Sequence, residues 1–435
     1  MTTRIFLAAC ILSGMIGCSQ RQKPIVSEVF VDSLIEHYSE PEIARSNDLS
    51  MQFWKSRINP KLPGLVSETK YAGTLSMRFH LYGDIRDIRK ADSVMSKVDS
   101  DFNHKEAQAE LTLVSYAILQ HRFQEAETIL EKAIQTGLKK YDQLTASFDV
   151  DFELGKLFNA DNELKELKST ADYGYFFRRS KMEHLNGLLD SSIHSMLEAA
   201  DLEKSSPYLE QVALANAADL YVHAGELQKA AFLYMKCIRI NHADFHSILG
   251  LGWIAMVNDK NDSLAEKIFR FVQTKNKLPD ALYKLTQMAE DRGDRELEKK
   301  WALAFESEAR DSVYGNMYNK YMIELYTGIL YNPALAEKIS KTELKNRLTP
   351  QTCAWYAWTL FSNNKKEEAY EQFEKNVSGK PLESLELYWM GKMMQGLGKG
   401  YNARMFYKAA YTNKYDLSPA ILNDLEIELN RQAGG

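Results

Sequence analysis

Four cysteines among 435 residues are too few to staple a fold, and two of them, Cys10 and Cys18, fall near the N-terminus, so the rest of the chain has no disulfide framework. Cys237 and Cys353 stand in apolar stretches, where a thiol serves as a small buried hydrophobe. Ten prolines and 22 glycines do not supply the regular turns of an all-β chain. Positive charge is not in excess: 54 Lys and Arg stand against 59 Asp and Glu, a net charge of −5, which argues against nucleic acid as a partner. The apolar run from Ile5 to Met15 falls short of the roughly 20 residues that span a bilayer. What remains is a chain 45% hydrophobic, 26% charged and 11% aromatic, which reads as a globular helical protein of several domains or one long repeat array.

The N-terminus carries an address. Arg4 precedes the apolar run, and Met15-Ile16-Gly17-Cys18 closes it, as in a secretory signal. Those four residues resemble the bacterial lipobox, with Met15 where that family more often has Leu. The resemblance implies that residues 1–17 are removed and that Cys18 is acylated. The chain would then be lipid-anchored in the bacterial cell envelope, facing the periplasm or the cell surface. Residues 18–65 read as a polar tether, Ser19 to Ser27, and a capping helix pair with apolar spacing at Val31, Leu34, Ile35, Tyr38, Leu49, Phe53 and Trp54, before the linker Asn59 to Gly64.

From residue 66 to 415 the chain repeats itself. The clearest unit is Leu387-x3-Gly391, Gly398, Ala403-x3-Tyr407-x2-Ala410. A small residue on one helix faces an alanine and an aromatic on the next, which is the tetratricopeptide (TPR) pattern. Two antiparallel helices approach closely only where small side chains leave a hole for a large one. The small position of the second helix recurs at 91, 126, 160, 192, 230, 265, 298, 336, 369 and 403, although 192 is Ser and 298 is Glu. The expected fold is an all-α solenoid of about ten TPR-like hairpins, each packed on its neighbours alone and therefore prone to unfold by segments. Residues 416–435 read as a C-terminal capping helix, Pro419 to Leu429, and a tail.

Stretches such as Leu81-Tyr82-Gly83-Asp84, Gln120-His121-Arg122-Phe123, Tyr314-Gly315-Asn316-Met317 and Leu387-Tyr388-Trp389-Met390-Gly391 are similar to those of bacterial exported TPR proteins, often lipoproteins. The resemblance implies a scaffold that binds an envelope protein or an extended peptide in its concave groove, without catalysis. In such proteins the first helix of each hairpin lines the groove. Counted in that frame, the inward-facing candidates are Phe177, Lys181, Asp219, His223, Trp253, Tyr283, Trp358, Phe361, Tyr388 and Lys392, with His184 among them. Aromatic anchors of that kind dominate interface energy. The alternative is a surface glycan- or ligand-binding lipoprotein of a nutrient-uptake system, but those carry long irregular insertions that this steady period does not accommodate. A clamp for chaperone C-termini is disfavoured, because its Lys and Asn positions hold Asp219, Trp253 and Trp358.

Signatures of chemistry are missing. The sequence has no G-x-S-x-G, H-E-x-x-H, C-x-x-C or phosphate-loop motif, so no enzyme, cofactor or metal set is expected. Gly396-Leu397-Gly398-Lys399-Gly400 falls in an inter-helix turn, and His242 and His246 read as polar residues at a helix start. The cluster from Glu290 to Glu296 reads as a solvated loop. Asp-Ser-Val/Leu triplets at Asp32, Asp92, Asp262 and Asp311 resemble a bacterial O-glycosylation site.

Overall fold

A computed structural model describes residues 23–62, 64–310 and 314–431, the side chain of Tyr401 excepted. The signal, Cys18 and the triplet at Asp311 lie outside the described residues. Within them the chain is helical throughout, as the 34-residue period requires. Two helices come first, α1 (Glu28–Glu36) and α2 (Glu42–Ser56). Hairpins 1 to 5 are α3 (Val66–Tyr82) with α4 (Ile85–Asp101), α5 (Ala107–Leu119) with α6 (Phe123–Thr136), α7 (Lys140–Leu154) with α8 (Leu157–Leu167), α9 (Tyr173–Leu185) with α10 (Leu189–Leu202), and α11 (Pro207–His223) with α12 (Leu227–Ile240). Hairpins 6 to 10 are α13 (Phe245–Val257) with α14 (Asp262–Lys275), α15 (Asp280–Asp291) with α16 (Arg295–Ala309), α17 (Asn319–Thr327) with α18 (Pro333–Asn346), α19 (Pro350–Ser362) with α20 (Lys366–Asn376), and α21 (Ser384–Gly396) with α22 (Gly400–Thr412). A single 3-10 turn, Lys414–Asp416, leads to α23 (Pro419–Arg431). Among the described residues no helix is long and apolar enough to cross a membrane.

All ten period-marking residues fall on the second helix of their hairpin and all are buried. The physical reason is visible at Gly391. A Cβ there would come within 2.4 Å of the Tyr407 ring, and that ring is itself wholly buried. Gly252 against Phe269 repeats the arrangement in hairpin 6 at 2.5 Å. Helices start on local caps: Asp84, Asp172, Asp244, Asn261, Asp294 and Asn332 each accept a backbone N–H of the first turn. Both described cysteines are buried thiols, and burial pushes Cys237 up to about 12 and Cys353 up to about 11. They are inert as nucleophiles.

The solenoid departs from a neighbour-only array, because it coils tightly enough for successive turns to touch. The Lys277 backbone N–H donates to the Tyr82 carbonyl at 2.9 Å, and the Lys277 ammonium reaches Asp84, 193 residues away. Gly83, with φ +70°, makes that approach feasible, since a Cβ there would meet the Leu278 backbone nitrogen at 2.9 Å. Asn346 receives the Phe123 N–H at 3.1 Å and donates to the His121 carbonyl at 2.9 Å. The backbone N–H groups of Ile25 and Val26 both donate to Asp259, at 3.0 and 2.9 Å, so the end of the stretch read as a tether is docked on the body. These separations correspond to roughly six hairpins per superhelical turn.

Candidate functional site

The groove candidates all sit on first helices, as the frame requires: Phe177, Lys181 and His184 on α9, Asp219 and His223 on α11, Trp253 on α13, Tyr283 on α15, Trp358 and Phe361 on α19, Tyr388 and Lys392 on α21. The structure does not gather them into one open surface. Trp253 is 7% exposed; its indole N–H donates to the Tyr415 carbonyl at 2.8 Å, and the Lys284 ammonium lies 3.5 Å over its ring. Tyr283 is buried and donates its hydroxyl to Glu324. Tyr388 donates to Asp424 at 2.7 Å, and Lys392 pairs with Asp424 and Glu428, so both hold α23. Trp358 stacks on Trp389 with planes 5° apart and donates to Thr327, while Phe361 packs beside it. Phe177 leans on Tyr173, and Lys181 pairs with Glu153 above the Phe152 ring. The chain's own C-terminal segment covers part of the groove, with Tyr415 against Trp253 and α23 against Tyr388 and Lys392.

Charged side chains stand on the same first helices. His246, the second residue of α13, contacts Asp219 at 2.9 Å, and Asp219 also accepts from the Tyr234 hydroxyl at 2.6 Å. The His246 side chain keeps 62% of its surface exposed, so water screens its pairing with Asp219 in part. The Asp219 carboxylate outweighs desolvation and raises His246 to about 9. His242 lies before the helix, among the side chains packed on α1, and does not share a face with it. Burial lowers Lys284 to about 8 and, with Glu324 opposite, raises Glu290 to about 8. Glu290 is half-buried in the last turn of α15, whereas Asp291 to Glu296 are exposed, as expected of a solvated loop.

Two adjoining cavities remain open between the helices. The first, of about 340 Å³, lies among α7, α9, α17, α19 and α21, with Phe152, Lys320, Arg347, Trp355 and Glu386 around it. Glu386 is fully buried; it accepts the Trp355 indole N–H at 2.7 Å and pairs with Lys320 at 2.8 Å. Burial would lower Lys320, but Glu386 holds it above its usual range. Arg347 lies against the rings of Phe123 and Trp355, at 5.1 and 5.6 Å, and pairs with Glu343 and Glu153. Desolvation would raise Glu153, and Lys181 and Arg347 together outweigh it. The second cavity, of about 420 Å³, shares Leu185, Gln351 and Glu383 with the first and reaches His184 and His223. Of the sequence-derived candidates only these two histidines line either space. Lys320, Arg347, Trp355, Glu383 and Glu386 were not singled out, because nothing in their spacing separates them from the other polar and aromatic residues of the repeats.

No family model matches the chain, and no curated protein matches it. Solved structures with a similar helical path include the Pseudomonas aeruginosa pilF protein, at a TM-score of 0.37 and 15% identity over 50% of this chain and 97% of that one. A tetratricopeptide repeat protein from Parabacteroides merdae gives 0.35 and 16% over 67% of this chain and 98% of that one. A human IFIT1 dimer with PPP-AAAA gives 0.42 and 11% over 87% of this chain and 98% of that one. At such scores none of the three bears on what this chain binds. Its own helices and their close-packed small residues define the class: an all-α, TPR-like solenoid.

Proposed function

We propose that the chain is a lipid-anchored, non-catalytic scaffold of the bacterial cell envelope that holds a segment of a partner protein in the cavities that open between its helices. The observation that carries the reading is the pair of adjoining cavities, walled by aromatic faces and by charges of both signs. An extended peptide offers alternating amide donors and acceptors with side chains of either sign, and such a wall matches them. The docked N-terminus supports the anchor. Ile25 lies seven positions after Cys18, a span of about 25 Å at full extension, so a lipidated Cys18 would keep the body close against its membrane. The cavity volumes also fall in the range of small-ligand sites, which sustains the ligand-binding alternative.

The experiment is in-cell photocrosslinking from position Leu157, on the rim of the first cavity, beside a Gln351→Trp variant that fills the space shared by both cavities. Capture of one envelope protein that disappears with the filled cavity supports the scaffold. No protein adduct, with a small molecule recovered from the purified chain, moves the assignment to ligand binding. Anchoring is checked separately: Cys18→Ser should shift the protein from the membrane to the soluble fraction, and an unchanged distribution refutes the lipid.

A further inference from the structure

The second cavity brings together three side chains from distant parts of the chain. His184 stands in the last turn of α9, His223 is the last residue of α11, and Glu383 immediately precedes α21. One ligand-type atom from each lies within 4.8 Å of the others, the one such group of His, Cys, Asp or Glu among the described residues. The two imidazoles meet edge to face, with ring centres 4.8 Å apart. In a tetrahedral shell with bonds of about 2.1 Å the donor atoms stand about 3.4 Å apart, so closure asks for roughly an ångström of side-chain travel.

The support around these residues is that of a built site. Asp416 contacts His223 Nδ1 at 2.5 Å. A carboxylate there fixes the proton on Nδ1 and leaves Nε2 as the nitrogen free to donate a lone pair, the arrangement that orients histidine toward a metal. Asn413, three residues before Asp416, donates to the His223 carbonyl at 2.9 Å, and Ser384, next to Glu383, donates to the Asn413 carbonyl at 3.1 Å. One short connection therefore braces two of the three side chains. Glu383 takes no side-chain cap bond with its own helix, which leaves its carboxylate available.

We infer that His184, His223 and Glu383 bind one divalent cation of the zinc class and that the bound ion clamps hairpins 4 and 5 to hairpin 10. Two imidazoles and one carboxylate suit a borderline first-row ion better than calcium or magnesium, which prefer all-oxygen shells. The fourth position opens onto the cavity of about 420 Å³, where water completes the shell. The site stands independently of the scaffold reading, since it needs no partner protein.

The test is calorimetric titration of the untagged, metal-free chain with Zn²⁺, repeated with Co²⁺, whose visible absorption reports tetrahedral nitrogen and oxygen ligation. His184→Ala and Glu383→Gln are the variants, because both leave the His223 and Asp416 contact in place and so spare the turn-to-turn packing. His194→Ala, on an exposed face, is the control. One equivalent of Zn²⁺ should bind, and each ligand variant should weaken it at least about ten-fold while the control leaves it unchanged. Zn²⁺ should also raise the melting temperature of the parent chain and not that of His184→Ala. No saturable uptake, or uptake at one equivalent that survives both ligand substitutions, overturns the site.

Discussion

His246 shows how a neighbour from the preceding hairpin alters an ordinary side chain. Its usual pKa of 6.5 rises to about 9 because Asp219 stabilises the imidazolium, with Asp244 and Asp280 adding to the effect. A group whose folded pKa is raised contributes stability that is complete below its unfolded value and is lost as pH climbs through the folded one. The His246 contribution is thus full below about pH 6.5 and fades toward about 9. Lys284, lowered to about 8, works in the opposite sense above that pH, so the net curve of the parent chain mixes the two. The difference between the parent and His246→Gln isolates the histidine. The gap in melting temperature between them should shrink between pH 6.5 and 9, and a gap that stays constant over that range would remove the ion pair from the account. The sequence places His246 at a helix start, where α13 has it, but not its pairing, because Asp219 lies 27 residues away on the preceding first helix.

At the scale of the element, the hairpin was legible and for a clear reason. Close approach of two helices forces a small residue at one register and a large one opposite, and that requirement leaves its mark every 34 residues or so. Gly391 is the sharpest instance. Substitution to Ala would push a methyl into the Tyr407 ring, which is wholly buried and donates its hydroxyl to Gln395 at 2.7 Å. Overpacking of this kind costs about 1–3 kcal/mol, so Gly391→Ala should lower the denaturant midpoint of hairpin 10, while Gly400→Ala, with open space around it, should not. Which helix of each hairpin comes first was legible in the same way, and all eleven groove candidates, His184 included, lie on such helices. What covers them was not. Trp253 meets the Tyr415 carbonyl 162 residues away, a contact decided by the pitch of the superhelix and by no local spacing, while Tyr388 and Lys392 meet the capping helix α23 one repeat further on.

Across the whole molecule the same pitch governs cooperativity. Sequence periodicity describes a chain of nearest neighbours, whereas Asn346, Arg347, Asp259 and Lys277 join one turn to the next. Asn346 is the cleanest probe, since its side chain satisfies the Phe123 N–H and the His121 carbonyl together. Asn346→Ala leaves two backbone groups without that partner, at about 1–3 kcal/mol for a buried unsatisfied group. Hydrogen exchange should then accelerate at the start of α6 as well as at the end of α18, although the two are 223 residues apart in sequence. Acceleration confined to hairpin 8 would return the protein to the neighbour-only description.

Ile25 and Val26 grip Asp259. A ribosome delivers these residues in order, so the N-terminal latch has nothing to close on until its partner, 234 positions downstream of Ile25, has also emerged. For more than half of its synthesis the chain carries an unlatched first segment, and α1 waits beside a half-built coil. The apolar side of α1, which packs against α14 of hairpin 6, has no finished partner until that hairpin is complete. The moment of closure is written into the spacing between one backbone amide and one aspartate.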